Sequence, residues 1–204
     1  MAGSDVKAVF ITADTNAVDA ASVAAAARPN TDFTIDGTDT DGGVATFAAG
    51  RIITCTTAGT GDNGKTVTLT GTDVNGDTQT EVITLTGSAT AHAGTKFFKT
   101  ITAAAASAQP AANVSIGMAA DAADVIFAGR TRLKGAFIVN SGTAGTLDFL
   151  TTSPTGTSAM KVGTVASATV TRDVNIPEEG IIFTDGVYIQ YTVATFTTIT
   201  AFHA

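Results

Sequence analysis

Lys65-Thr66-Val67-Thr68-Leu69-Thr70-Gly71-Thr72-Asp73-Val74-Asn75-Gly76-Asp77-Thr78-Gln79-Thr80-Glu81-Val82-Ile83-Thr84-Leu85-Thr86 decides the fold class of this chain. Val67 and Leu69, then Ile83 and Leu85, alternate with threonine, which is the period of a half-buried strand. Asn75-Gly76 lies between the two runs, where a hairpin turn needs positive φ. The stretch reads as a β-hairpin with threonine on its wet face and nothing catalytic on it.

The pattern continues outward. From residue 31 to about 120, strands are expected at Asp32–Ile35, Val44–Phe47, Arg51–Thr57, Thr66–Thr70, Thr80–Thr86, Thr95–Ala103 and Asn113–Met118. Asp41-Gly42-Gly43, Gly61-Asp62-Asn63-Gly64 and Gln109-Pro110 mark turns between them. Short strands at that spacing predict an immunoglobulin-like β-sandwich over residues 31–128. Met118 to Phe127 reads as an alanine-rich connector. Residues 129–204 predict a second, small C-terminal β-sandwich, with clear alternation through Val187, Ile189, Tyr191 and Val193. Residues 1–30 differ. Asn16 to Ala27 is helix-tolerant and Pro29 stops it, so this segment reads as an N-terminal arm that orders against a neighbouring subunit. The fold class expected is therefore all-β: two small β-sandwich-like domains preceded by an arm.

Composition narrows the function. Charged residues make up 14 % of the 204 residues, against about 25 % in an average globular protein. Threonine and alanine dominate, glycine numbers 21 and tryptophan is absent. Such a surface suits a protein partly covered by neighbours. A net charge of −7 and the lack of a basic stripe speak against nucleic acid. No apolar run is long enough to span a membrane, and Met1 to Lys7 lacks the features of a signal peptide, which points to synthesis in a cytoplasm.

Reactive side chains are scarce. The single cysteine, Cys55, cannot form an internal disulfide and reads as a small buried residue on a strand. His92 and His203 lack partners at metal-ligand spacing and are expected in solvent-exposed positions. Glu178 and Glu179 are adjacent and suit a solvated turn better than paired acid–base work. Asp39-Thr40-Asp41-Gly42 matches part of a calcium loop, but Gly37 and Ala48 fall where its first and last ligands belong. An Asp-rich turn explains the same residues. Gly59-Thr60-Gly61-Asp62-Asn63-Gly64-Lys65-Thr66 has the spacing of a phosphate loop, yet a strand follows where that loop needs a helix. No catalytic, cofactor-binding or metal-binding residues are assigned, no cofactor is expected, and the chain is expected not to be an enzyme.

The run from Val67 to Leu85, followed by Phe98-Lys99-Thr100-Ile101-Thr102 and Val114-Ser115-Ile116-Gly117, resembles a β-module of tailed-bacteriophage virion proteins. Gly135 to Val139, Gly145-Thr146-Leu147, Ile176 to Phe183 and Asp185 to Ile189 resemble a second small module of such proteins. Together these cover roughly residues 50–204. The resemblance implies a non-enzymatic particle component, assembled in the host cytoplasm and located in the virion. The reading that follows is a capsid decoration or cement protein that braces the head shell. Its partners would be the major capsid protein or other virion subunits, and it would be a homo-oligomer, with a trimer favoured. The alternative is a neck, tail or fibre component serving adhesion. The resemblance carries no site residues.

Overall fold

A computed structural model describes residues 5–204. The protein is all-β, 61 % strand, with antiparallel pairing throughout and no helix among the described residues. The strands in chain order are β1 (Lys7–Thr12), β2 (Asp19–Ala27), β3 (Thr40–Asp41), β4 (Val44–Thr57), β5 (Thr66–Thr72), β6 (Thr78–Thr84), β7 (Ala91–Ala106), β8 (Val114–Phe127), β9 (Thr131–Asn140), β10 (Gly145–Thr151), β11 (Ser158–Thr164), β12 (Thr171–Asn175), β13 (Ile181–Phe183), β14 (Val187–Thr192) and β15 (Phe196–His203). They fall into two compact units. Val18–Ala120 forms one, and the residues up to Ala17 join Asp121–Ala204 in the other.

In the first unit the strand order is β4-β7-β5-β6. Thr66 to Thr72 pairs with Thr84 to Thr78 in unbroken register. Val67, Leu69 and Gly71 are buried while the intervening threonines face outward. The core gathers Phe33, Phe47, Ile53, Leu69, Leu85, Phe98 and Ile101. The far side of β6 has no ladder partner among the described strands, and the bent first half of β7 covers it with side chains instead. Lys96 Nζ donates to Thr80 O at 2.7 Å, and Gln79 Nε2 donates to Phe97 O at 2.6 Å. The buried carboxylate of Glu81 accepts Thr95 N at 2.6 Å. A strand edge that would invite aggregation is thereby blunted within the unit.

The second unit is a sandwich. One sheet has the order β1-β15-β9-β12, with β13 also on β9; the other has β11-β10-β14 and then the last residues of β8. Leu133, Ala136, Ile138 and Ile199 of the first sheet and Leu147, Phe149, Ile189 and Tyr191 of the second are buried. Tyr191 and Phe196 meet edge to face at 6.1 Å, a preferred aromatic geometry.

Three expectations are corrected. Asn16 to Ala27 does not form a helix; residues 19–27 are strand β2 on β8. A Cβ on Gly117 would lie 1.9 Å from Asp19 O, and one on Gly37 would lie 2.3 Å from Ala21 O. The small side chains therefore serve close backbone packing, which overrides alanine's helical preference. The segment is not an arm either. β1 pairs along its whole length with β15, and Asp14 N donates to Tyr191 Oη at 2.8 Å, so residues 5–17 are built into the second unit. The first residues of the expected arm, 1–4, lie outside the described residues. Finally, Met118 to Phe127 is not a connector but the continuation of β8, with Ala122 and Ala123 fully buried. The units divide after Ala120 and not after residue 128.

Candidate interaction surface

The outward face of the β1-β15-β9-β12 sheet is defined by its register. Residues directly opposite on paired strands share a face. One row runs Ala8, Phe202, Gly135, Asn175; the next Phe10, Thr200, Phe137, Asp173; the third Thr12, Thr198, Val139, Thr171. Val9 and Ile11 point the other way, toward the core. Phe10 and Phe137 therefore stand on either side of Thr200, and Phe202 lies diagonally adjacent to both. Phe10 is 65 % exposed and Phe137 40 %. Asp173 is the only charged residue in the three rows. At ~4.8 Å between strands and ~6.7 Å between rows, the face measures on the order of 400 Å².

Large aromatic side chains exposed on a sheet face with a single charge are costly in water, since each could bury 150 Å² or so in a core. The sequence signal for them was present but incomplete. Alternation in β1 separates Phe10 from Val9 and Ile11. Only the register brings Phe10, Phe137 and Phe202, far apart in the chain, onto one face.

The first unit presents a row of threonines. Thr78, Thr72, Thr100 and Thr46 form one row across β6, β5, β7 and β4. The hydroxyls of Thr72 and Thr100 are 2.8 Å apart.

The residues with chemical potential are occupied in the fold. Cys55 is fully buried on β4, and burial, with the charge of Glu81, pushes its thiol up to about 12. His92 is not fully solvent-exposed: it lies on β7 opposite Cys55 and is half-buried. His203 is not solvent-exposed. It is 5 % exposed on β15, its ring packs against Phe127 at 5.1 Å, and Nδ1 lies 3.1 Å from Thr131 Oγ1. The Asp36–Gly42 turn is tied into its own unit. Asp36 accepts Ala25 N, Thr38 Oγ1 donates to Asp19, and Asp39 O accepts Thr46 N. Among the described residues no three His, Cys, Asp or Glu side chains converge as a metal site. Glu178 and Glu179 occupy a turn, as their adjacency predicts, with Glu178 at φ 54°.

The phosphate-loop spacing at Gly59–Thr66 has a different explanation. Asp62 is fully buried and accepts Ala111 N at 2.5 Å, Lys65 Nζ at 3.0 Å, Thr57 Oγ1 at 3.2 Å and Ala112 N at 3.4 Å. Burial pushes its carboxyl up, but these hydrogen bonds more than reverse that and hold it below the usual aspartate range. Added Cβ atoms on Gly59 and Gly61 would meet those of Ala112 and Ala111 at 2.6 and 2.7 Å. The glycines thus admit the 109–112 segment and not a phosphate. Compared with known proteins, the chain matches no family model, no curated protein and no solved structure.

Proposed function

We propose that this chain is a non-enzymatic structural subunit of a tailed-bacteriophage virion, acting as a capsid decoration protein that braces neighbouring shell subunits. The observation that carries this reading is the outward sheet face around Thr200, where Phe10, Phe137 and Phe202 are gathered with a single charge. Exposed aromatic side chains gathered on one face support an interaction role, because the largest apolar patch of a protein surface is often functional. The face supplies about half of the ~800 Å² that each partner buries in a standard interface. Many weak contacts repeated over a shell reach high avidity without any single large interface. The resemblance of the Val67–Leu85 hairpin and of residues 135–189 to virion modules supports the same role.

Quantitative mass spectrometry of particles carrying this chain tests the proposal. Hundreds of copies per particle are expected. A single ring's worth would move the protein to the neck or tail, and absence from the particle would overturn the virion reading.

A further inference from the structure

β1 forms one edge of its sheet in the second unit. It pairs with β15 along Lys7–Thr12 without a register shift, and its other side has no ladder partner among the described strands. Which backbone groups that edge offers follows from the ladder. Ala13 N donates to Thr197 O at 3.0 Å, and Ala13 stands opposite Thr197 when the β1–β15 register is carried one residue on. In an antiparallel strand, successive residues bond alternately to one side and the other. Lys7, Val9 and Ile11 therefore turn their N–H and C=O groups toward β15, and Ala8, Phe10 and Thr12 turn theirs outward.

Exposed strand edges normally carry a charge, a proline or a bulge that deters further pairing. The strands at the other ends of these two sheets do. β11 carries Lys161, and its ladder with β10 is irregular at Phe149/Leu150. β12 carries Arg172 and Asp173. From Ala8 to Ala13 the β1 edge reads Ala-Val-Phe-Ile-Thr-Ala, with no residue that ionises. Phe10 is 65 % exposed, and Val9 and Ile11 on the opposite face are only half-buried.

We propose that β1 pairs antiparallel with β1 of a second copy of this chain, with Phe10 opposite Phe10 on the twofold axis. This register uses every outward-facing group of β1. Phe10 bonds to Phe10, Ala8 to Thr12 and Thr12 to Ala8, for about six backbone hydrogen bonds. On the inner face Val9 of each copy meets Ile11 of the other, which completes the burial of both. The strand is its own complement, as a twofold interface requires. Each chain has a net charge of −7, yet no like charges meet along the seam, because Lys7 falls opposite Ala13. The two outward faces around Thr200 become one continuous surface of roughly 800 Å², the area that one partner buries in a standard interface. The inference does not rest on the virion reading, because the isolated chain is expected to dimerise.

Sedimentation of the intact chain over a concentration series is expected to show a reversible species of twice the chain mass. Phe10→Lys and Phe10→Glu each set like charges face to face on the axis and should weaken dimerisation about tenfold or more. An equimolar mixture of the two should restore it. Ala8→Pro removes an outward N–H, takes no bond from β15 and keeps the Phe10 side chain in place. It should weaken the dimer too, which separates edge pairing from contact between sheet faces. A monomer at every concentration up to about 1 mM, or a trimer, would overturn the proposal. So would a dimer that Ala8→Pro or the charge variants leave intact, or a mixture that associates no better than its components. The mixture guards against a folding defect, since two misfolded chains would not rescue each other.

Discussion

Asp62 and Ala111 join two loops of the first unit through one short contact, the Ala111 amide donating to the Asp62 carboxylate at 2.5 Å. The carboxylate is fully buried, and Lys65 bridges from it to Gln109 O at 2.8 Å. A group so placed organises the segments it touches, and its removal strands several donors at once.

Asp62→Ala is therefore expected to destabilise the first unit by about 3 kcal/mol, since each buried donor left without a partner costs about 1–3 kcal/mol. Asp62 has its folded pKa held below the ordinary value of 3.8. Its charged form is the one that stabilises the fold, so that contribution is present above the unfolded pKa. It is lost as pH falls through the folded value. Urea melts of wild type and Asp62→Asn should accordingly converge below the usual carboxylate range and separate above pH 5 or so.

The hairpin loop makes a sharper test. Gly76 sits at φ 88°, its N–H donates to Asp73 O, and Asp73 Oδ1 caps Asn75 N and Asp77 N. This is a three-residue loop with a left-handed glycine, and not a two-residue Asn-Gly turn. Gly76→Val should lower stability by about 1 kcal/mol or more, and Gly76→Asn by less, because asparagine tolerates that region. Equal urea midpoints for the valine variant and wild type would contradict the assignment.

Cys55 should be inert in the native protein. Its thiol is fully buried and pushed up to about 12, so almost no thiolate exists near neutral pH. Labelling by a thiol reagent is expected to follow the rate of unfolding, measured in parallel by urea jump. Fast labelling of folded protein would show the β4–β7 seam to be open.

Deleting residues 5–12 should now harm folding. It removes the partner of β15 and the half-buried Val9 and Ile11, for an expected loss of about 2 kcal/mol or more in the second unit. Phe10→Ser, by contrast, leaves the core face untouched. It should change the unfolding midpoint by no more than about 0.5 kcal/mol equivalent while lowering incorporation into particles. If both changes fall only on stability, the Thr200 face is not an interaction surface.

Local pattern was enough for the β class. Threonine alternating with Val, Leu and Ile in 67–85, and Val187 to Val193, can be half-buried only as strands, and that inference uses neighbours within a few residues. Alanine-rich segments were not legible in this way. Asp19–Ala27 and the second half of β8 carry side chains too small to announce a face, so their state was decided by what they pack against. Gly117 and Gly37 admit the backbone of β2, a fact that no periodicity in residues 19–27 contains. Nor could spacing show that Asp62 answers to Ala111, that His203 is sheathed by Phe127, or that Phe10 and Phe137 flank Thr200. Those relationships depend on strand register between distant segments, and register is set by the assembled core: a slip of one residue would turn every side chain to the opposite face.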